Sequence, residues 1–208
     1  MGVLRPKDIR EFYRLLDEEI ADFNCGELCA RRNRNKIPYC CDVAKALPLM
    51  YREEYDHVRR HTRMWRPYKR KDPDEDLEEM EYHVYVECRG PERCERRWRS
   101  IVCRIFPTYP YMDEADETVG LFFNAVLRDK CVLTNRPDLV RTAFIRNHVK
   151  FWNALFERHA GEREFHAQLR RRAEARYRRL GKPFVVLMPT GTLTKHFENG
   201  SEEVWTPR

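Results

Sequence analysis

The sequence predicts an α+β fold: a mainly helical single domain with short strands, a cysteine-rich metal-binding centre and a C-terminal β-meander. Three observations carry this expectation. Apolar residues recur at spacings of three and four over several long stretches, all eight cysteines fall in the first two thirds of a 208-residue chain, and the residues after 181 alternate short apolar runs with glycine turns. The expected division is 1–180 for the cysteine-cluster metal-binding domain and 181–208 for a small hairpin or meander appendage.

A chain of this length buries a core without covalent staples, so cysteine is not needed merely for folding. Charged residues make up 36% of it, well above the usual quarter, which predicts a salt-bridge-laced surface. The formal charge of +6 counts the cysteines as neutral, and thiolates gathered on a metal would lower it. Residues 1–10 carry charge but no apolar signal core, and no later run has the length of a membrane span. The expectation is a soluble, cytoplasmic protein with no membrane partner. Thiols there stay reduced, which favours metal binding or catalysis over disulfides.

Taken in order, residues 6–23 place Ile9, Phe12, Tyr13, Leu16, Ile20 and Phe23 on one helical face, and the helix is expected to stop before Cys25-Gly26. The basic segment to Cys41 reads as irregular loop. Residues 49–62 form a second helical pattern, with Met50, Tyr51, Tyr55 and Val58 inward. His57 and His61 share a face there, but no glutamate directly follows His57 and Arg59, Arg60 and Arg63 surround the pair, so a solvated face is preferred to a histidine metal site. Residues 66–81 read as an exposed connector, basic and then acidic. Residues 82–87 alternate as a half-buried strand that delivers Cys88 at its end.

Residues 101–106 read as another strand, 107–111 as a loop, 113–117 as an acidic turn and 119–127 as a buried element whose type stays open. The polar cap and early proline of Asn135-Arg136-Pro137-Asp138 predict a helix start. That helix is expected to run to about residue 157, with Leu139, Val140, Ala143, Phe144, Phe151, Trp152 and Leu155 facing the core, until Gly161 interrupts it. A further helix over 162–180 turns Phe165, Leu169, Ala173, Tyr177 and Leu180 inward. Its arginines Arg170, Arg171, Arg172, Arg176, Arg178 and Arg179 face largely outward, and an ion-paired solvated face is preferred to a phosphate- or lipid-binding one. Residues 184–188, 192–197 and 202–205 complete the meander around two glycine turns.

The stretch from Cys88 to Pro107 sets three cysteines among Arg89, Arg93, Arg96, Arg97, Arg99 and Arg104, cations that favour the thiolate form a metal requires. The expected metal ligands are Cys25, Cys29, Cys40, Cys41, Cys88, Cys94 and Cys103, with the trailing Cys131 left outside the set. Adjacent residues in an extended chain point to opposite sides, so Cys40 and Cys41 are expected to play different roles. One four-sulfur site with spare thiols and two separate sites both remain open. The plainer readings are buried structural thiols and oxidised pairs, and a metal centre is preferred to both.

The arrangement resembles the YkgJ-like cysteine-cluster family, known as zinc- or iron-chelating domains, to which the flagellin lysine N-methylases look related. The matching features are the early cluster at Cys25, Cys29, Cys40 and Cys41, the pair Cys88 and Cys94, and the element Cys103-Arg104-Ile105-Phe106-Pro107, the most specific of them. The resemblance spans about residues 23 to 131. It departs in the looser early cluster and in Arg97-Trp98-Arg99, which stands where the family has Arg-Pro.

The resemblance implies a chelated metal and, through the methylases, an iron-sulfur centre with S-adenosylmethionine. No glycine-rich strand-loop-helix for that cofactor stands out. The expected function is a cysteine-cluster protein holding an iron-sulfur cluster or, alternatively, zinc; uneven long-range ligand spacing tilts the choice toward iron-sulfur. The rival readings are a lysine N-methylase-like enzyme and a zinc-structured adaptor. The adaptor would bind nucleic acid or an acidic protein partner through its arginines, with Trp65, Tyr68 and Trp98 as stacking surfaces. Catalytic residues are not legible.

Overall fold

The computed structural model describes residues 4–42, 47–69, 82–124, 127, 130–181, 184–196 and 201–206. The first helix, α1 (Pro6–Leu15), begins on a proline, and Asp8 accepts from the Arg5 amide at 2.8 Å. Proline costs nothing there, because the first amides of a helix have no intrahelical partner. Ile9, Phe12 and Leu16 are buried. The helix ends well short of residue 23 because later carbonyls serve tertiary partners: Leu16 accepts from Arg104 at 3.3 Å and Ile20 from the Arg141 amide at 2.9 Å.

The helical pattern expected over 49–62 divides. Residues Leu49–Tyr51 form β1, which pairs with β3 (His83–Cys88), and only Arg52–Val58 form helix α3. With β2 (Trp65–Pro67) they make a three-stranded antiparallel sheet of order β1-β3-β2. Its small core comprises Met50, Val58, Met64, Trp65 and Val86. Most of the expected connector, residues 70–81, lies outside the described residues.

Residues 101–106, expected as a strand, form helix α4 (Ile101–Ile105). Ser100 caps it by accepting from the Cys103 amide at 3.1 Å, and the buried Glu54 carboxylate takes the Ile101 amide at 2.7 Å. Two satisfied amides at its start outweigh the β-branched composition. The expected loop that follows is instead β4 (Thr108–Met112), which pairs with β5 (Thr118–Phe123). The acidic turn lies between them, with Asp113 accepting from the amides of Ala115 and Glu117.

The helix start expected at 135–138 is a short helix α5 (Val132–Asn135) and a single 3-10 turn, Pro137–Leu139; the long helix α6 (Thr142–Arg158) begins later. Asn135 ends α5 instead of capping a longer helix, and Asp138 pairs with Arg136 at 2.7 Å. Arg141 is tied to Ile20, Glu18 and Asp22, which holds the chain extended just before α6. The break before α7 (Ala160–Arg179) falls at His159 rather than Gly161.

The terminal strands β6 (Phe184–Leu187), β7 (Leu193–His196) and β8 (Glu202–Val204) form the expected meander. They continue the second sheet in the order β4-β5-β6-β7-β8, so it draws strands from both sides of residue 181. Alternate residues of β5 face opposite sides. Leu121 and Phe123 join the main core with Phe144, Phe151, Trp152 and Leu155 of α6. Phe122 joins Phe184, Val186 and the α7 residues Ala173 and Tyr177. The sheet is thus covered by α6 on one face and the end of α7 on the other.

Candidate metal centre

Helix α2 (Cys25–Arg32), where the sequence suggested a loop, starts on Asn24, whose side chain accepts from the Gly26 amide. Cys25 and Cys29 are therefore four residues apart on one helical face. Cys29 is buried; its sulfur accepts from the Tyr39 amide at 3.4 Å and lies 3.5 Å from the Lys130 carbonyl, next to Cys131. Cys25 and Cys131 both pack on the main core.

Cys40 and Cys41 lie in one 3-10 turn, Tyr39–Cys41, rather than in extended chain. Successive side chains in such a turn are about 120° apart, and the two sulfurs come within 4.0 Å. Cys88 closes β3 opposite Trp65. Cys94 follows the 3-10 turn Pro91–Arg93, and Cys103 sits within α4. All three pack against the smaller core.

The arginines separate into distinct roles. Arg99 is the one that enters the cysteines: its Nε donates to Cys94 at 3.1 Å, and its charge also reaches Cys25, Cys41 and Cys103. Burial disfavours the Arg99 cation, but the thiols around it hold its proton more tightly still. Arg104 does not serve the sulfurs as expected. Its guanidinium, 6% exposed, donates to the carbonyls of Leu16, Arg96, Arg97 and Arg99 and lies 4.6 Å from the Tyr13 ring centre. It is a clamp on the backbone between α1 and α4. Arg89, Arg93, Arg96 and Arg97 are exposed.

The thiols lie close enough to feel one another's charge. The charges of Cys25 and Cys29 raise the Cys40 and Cys131 thiols. That of Cys41 raises Cys40, Cys88 and Cys103. Cys40 and Cys41 are in contact at 4.0 Å. Desolvation raises Cys25 and Cys88, pushes Cys103 up to about 12 and Cys131 up to about 11. Cys41 moves the other way, down to about 7, because Cys40 donates a hydrogen bond to its thiolate and Arg99 is near. Cys40 holds its proton correspondingly tightly.

Among the described residues, no group of three or more cysteine, histidine or carboxylate side chains stands as it is in an arrangement that holds a metal ion. The sulfurs are gathered but not closed on a common point. His57 and His61 pack on aromatic rings, His61 stacked on Trp98 at 4.7 Å.

Two buried polar groups escaped the sequence reading. Glu54 is fully buried between α1, α3 and α4, accepting from Tyr13 at 3.0 Å and Ile101 at 2.7 Å, and burial raises its carboxyl to about 7. The second is a cluster of His83, His159, Glu162 and His166. Its signal was the spacing His159-x2-Glu162-x3-His166, which puts three polar groups along one side of a helix. Among the described residues no helix is long and apolar enough to cross a membrane. No protein-family model, curated protein or solved structure matches this chain.

Proposed function

We propose that the chain is a metal-binding cysteine-cluster protein, holding iron-sulfur in preference to zinc. The observation that supports it is that cysteines from separate segments lie near one another: Cys29 meets the Lys130 carbonyl beside Cys131, Cys40 is within 4.0 Å of Cys41, and Arg99 donates to Cys94 while its charge reaches Cys25, Cys41 and Cys103. Four thiolates are the donor set of both cluster iron and structural zinc. Cys131, beside the Lys130 carbonyl that Cys29 meets, is added to the proposed ligand set. A sulfur-bound centre of either kind carries negative charge, and Arg99 is placed to balance it. Loading requires side-chain movement, together with loss of the thiol protons.

Anaerobic purification with elemental analysis for iron, zinc and acid-labile sulfide tests the reading. Iron with matching sulfide and broad visible absorption is the expected result. Stoichiometric zinc in colourless protein selects the alternative metal, and folded protein free of both overturns the proposal. Cys103→Ser and Cys131→Ser, each expected to lower the metal content, probe cysteines from two different parts of the fold.

A further inference from the structure

The sulfur chemistry leaves unused a ladder of rings between α3 and the 3-10 turn Arg96–Trp98, beside α1. His57 lies in the last turn of α3 and His61 follows four residues on, its amide donating to the Val58 carbonyl at 2.9 Å. The His61 ring lies flat on Trp98 at 4.7 Å with 4° between the planes, and His57 meets His61 at 4.9 Å and Trp98 edge-on at 6.1 Å. Trp98 is held from beneath: it packs against the smaller core, and its carbonyl accepts from Trp65 Nε1 at 2.8 Å. His61 is exposed. The stack therefore has one end fixed in the fold and the other turned to water. Trp65, a stacking surface in the sequence reading, is 6% exposed and serves as this support instead.

The ladder is edged by cations that the fold does not neutralise. Arg97 Cζ stands 5.6 Å from the Trp98 ring centre, and the charges of Arg60 and Arg10 reach His57. All three arginines are exposed, and among the described residues none has an ion-pair partner. The carboxylates beside them in the chain are engaged elsewhere: Asp8 and Glu11 with Arg158, Asp56 with Arg59, and Glu95 with the Thr62 hydroxyl. Burial, His61, Arg60 and Arg10 hold His57 below its ordinary pKa, so at neutral pH it is an uncharged ring rather than a further cation. Cations alone attract any anion. Cations around an open ring stack fit a ligand that carries phosphates and free base faces together, which is a single strand; in a duplex the base faces are covered.

We propose that this surface binds single-stranded nucleic acid, with one base stacked on the outer face of His61 as the third ring of the Trp98–His61 pile and the flanking phosphates on Arg10, Arg60 and Arg97. Stacking does not read the sugar, so RNA and DNA strands share this chemistry. None of these residues is a proposed metal ligand, and failure of either reading leaves the other standing.

The test is fluorescence anisotropy of labelled oligonucleotides, about twelve nucleotides long, added to the full-length protein over a range of salt concentrations. A ribo- and a deoxyribo-oligonucleotide are run beside an abasic strand of the same phosphate count. Either base-bearing strand is expected to bind more tightly than the abasic one, and the tighter of the two identifies the source. Arg60→Gln and Arg97→Gln should each flatten the dependence of log affinity on log salt by about 0.7. His61→Ala, at an exposed position, should weaken the base-bearing strand about fivefold or more and leave the abasic strand unchanged. Equal binding of abasic and base-bearing strands marks general attraction to a basic protein and overturns the proposal. So does equal affinity in wild type and His61→Ala, or no binding of either strand at low salt.

Discussion

At the residue scale the decisive groups are those whose environment contradicts their chemistry. Glu54 is a carboxyl group with no exposed surface, held by Tyr13 and the Ile101 amide, its Oε2 without a partner. Burial raises it from the ordinary 4.5 to about 7. The folded protein therefore keeps a proton that the unfolded chain has already lost, so this group's stabilisation is fully present below pH 4.5 and is lost as pH rises through 7. The linkage amounts to about 3 kcal/mol. Urea unfolding at a series of pH values is expected to show wild-type stability falling over that window relative to Glu54→Gln; parallel profiles would sink the account. Arg99 and Arg104 make the complementary point. Five residues apart and alike in sequence context, one is placed among thiols and the other on carbonyls.

At the scale of elements, helix α7 shows where periodicity misleads. The sequence turns Phe165, Leu169 and Leu180 inward, yet the buried residues are Glu162, His166 and Ala167, and Leu180 is 51% exposed. Arg170, read as outward-facing, lies with its guanidinium over Tyr111 and bonded to Glu174. The helix exists where expected, and Ala173 and Tyr177 pack on the sheet as read, but its first half turns Glu162 and His166 inward. A hydrophobic pattern cannot reveal a face whose partners are histidines and tyrosines from β1, β3 and β4. The pairing of β5 with β6 yields a firmer expectation. A Cβ on Gly120 would meet Val186 Cγ1 at 2.8 Å and the Leu187 carbonyl oxygen at 2.9 Å. That carbonyl is backbone of the paired strand and cannot swing away. Gly120→Ala is expected to lower stability by about 1–3 kcal/mol, read as a lower denaturant midpoint at unchanged slope, and an unaltered midpoint would show that the strands part freely.

For the whole molecule, the cysteines come from segments between residue 25 and residue 131, so the proposed metal loading is coupled to tertiary structure. Desolvation keeps Cys25, Cys88, Cys103 and Cys131 protonated at neutral pH in the metal-free protein. Binding must then release protons, and apparent affinity rises with pH. Zinc titration calorimetry in buffers of differing ionisation enthalpy is expected to report more than one proton released per ion, with affinity at pH 6 about a hundredfold or more below that at pH 8. Binding without proton release would contradict the burial of these thiols.

The sequence by itself determined the α+β class, the terminal meander and the strand that ends at Cys88, because each depends on local pattern. The tertiary structure decided which thiols are neighbours, that residues 101–105 are helical and that the first turns of α7 bury Glu162 and His166. Those outcomes rest on partners distant in the chain: Glu54 on the Ile101 amide, Arg99 among the sulfurs, and His83 facing Glu162. A one-dimensional pattern records which residues avoid water, but not which polar group will meet which once the chain has folded.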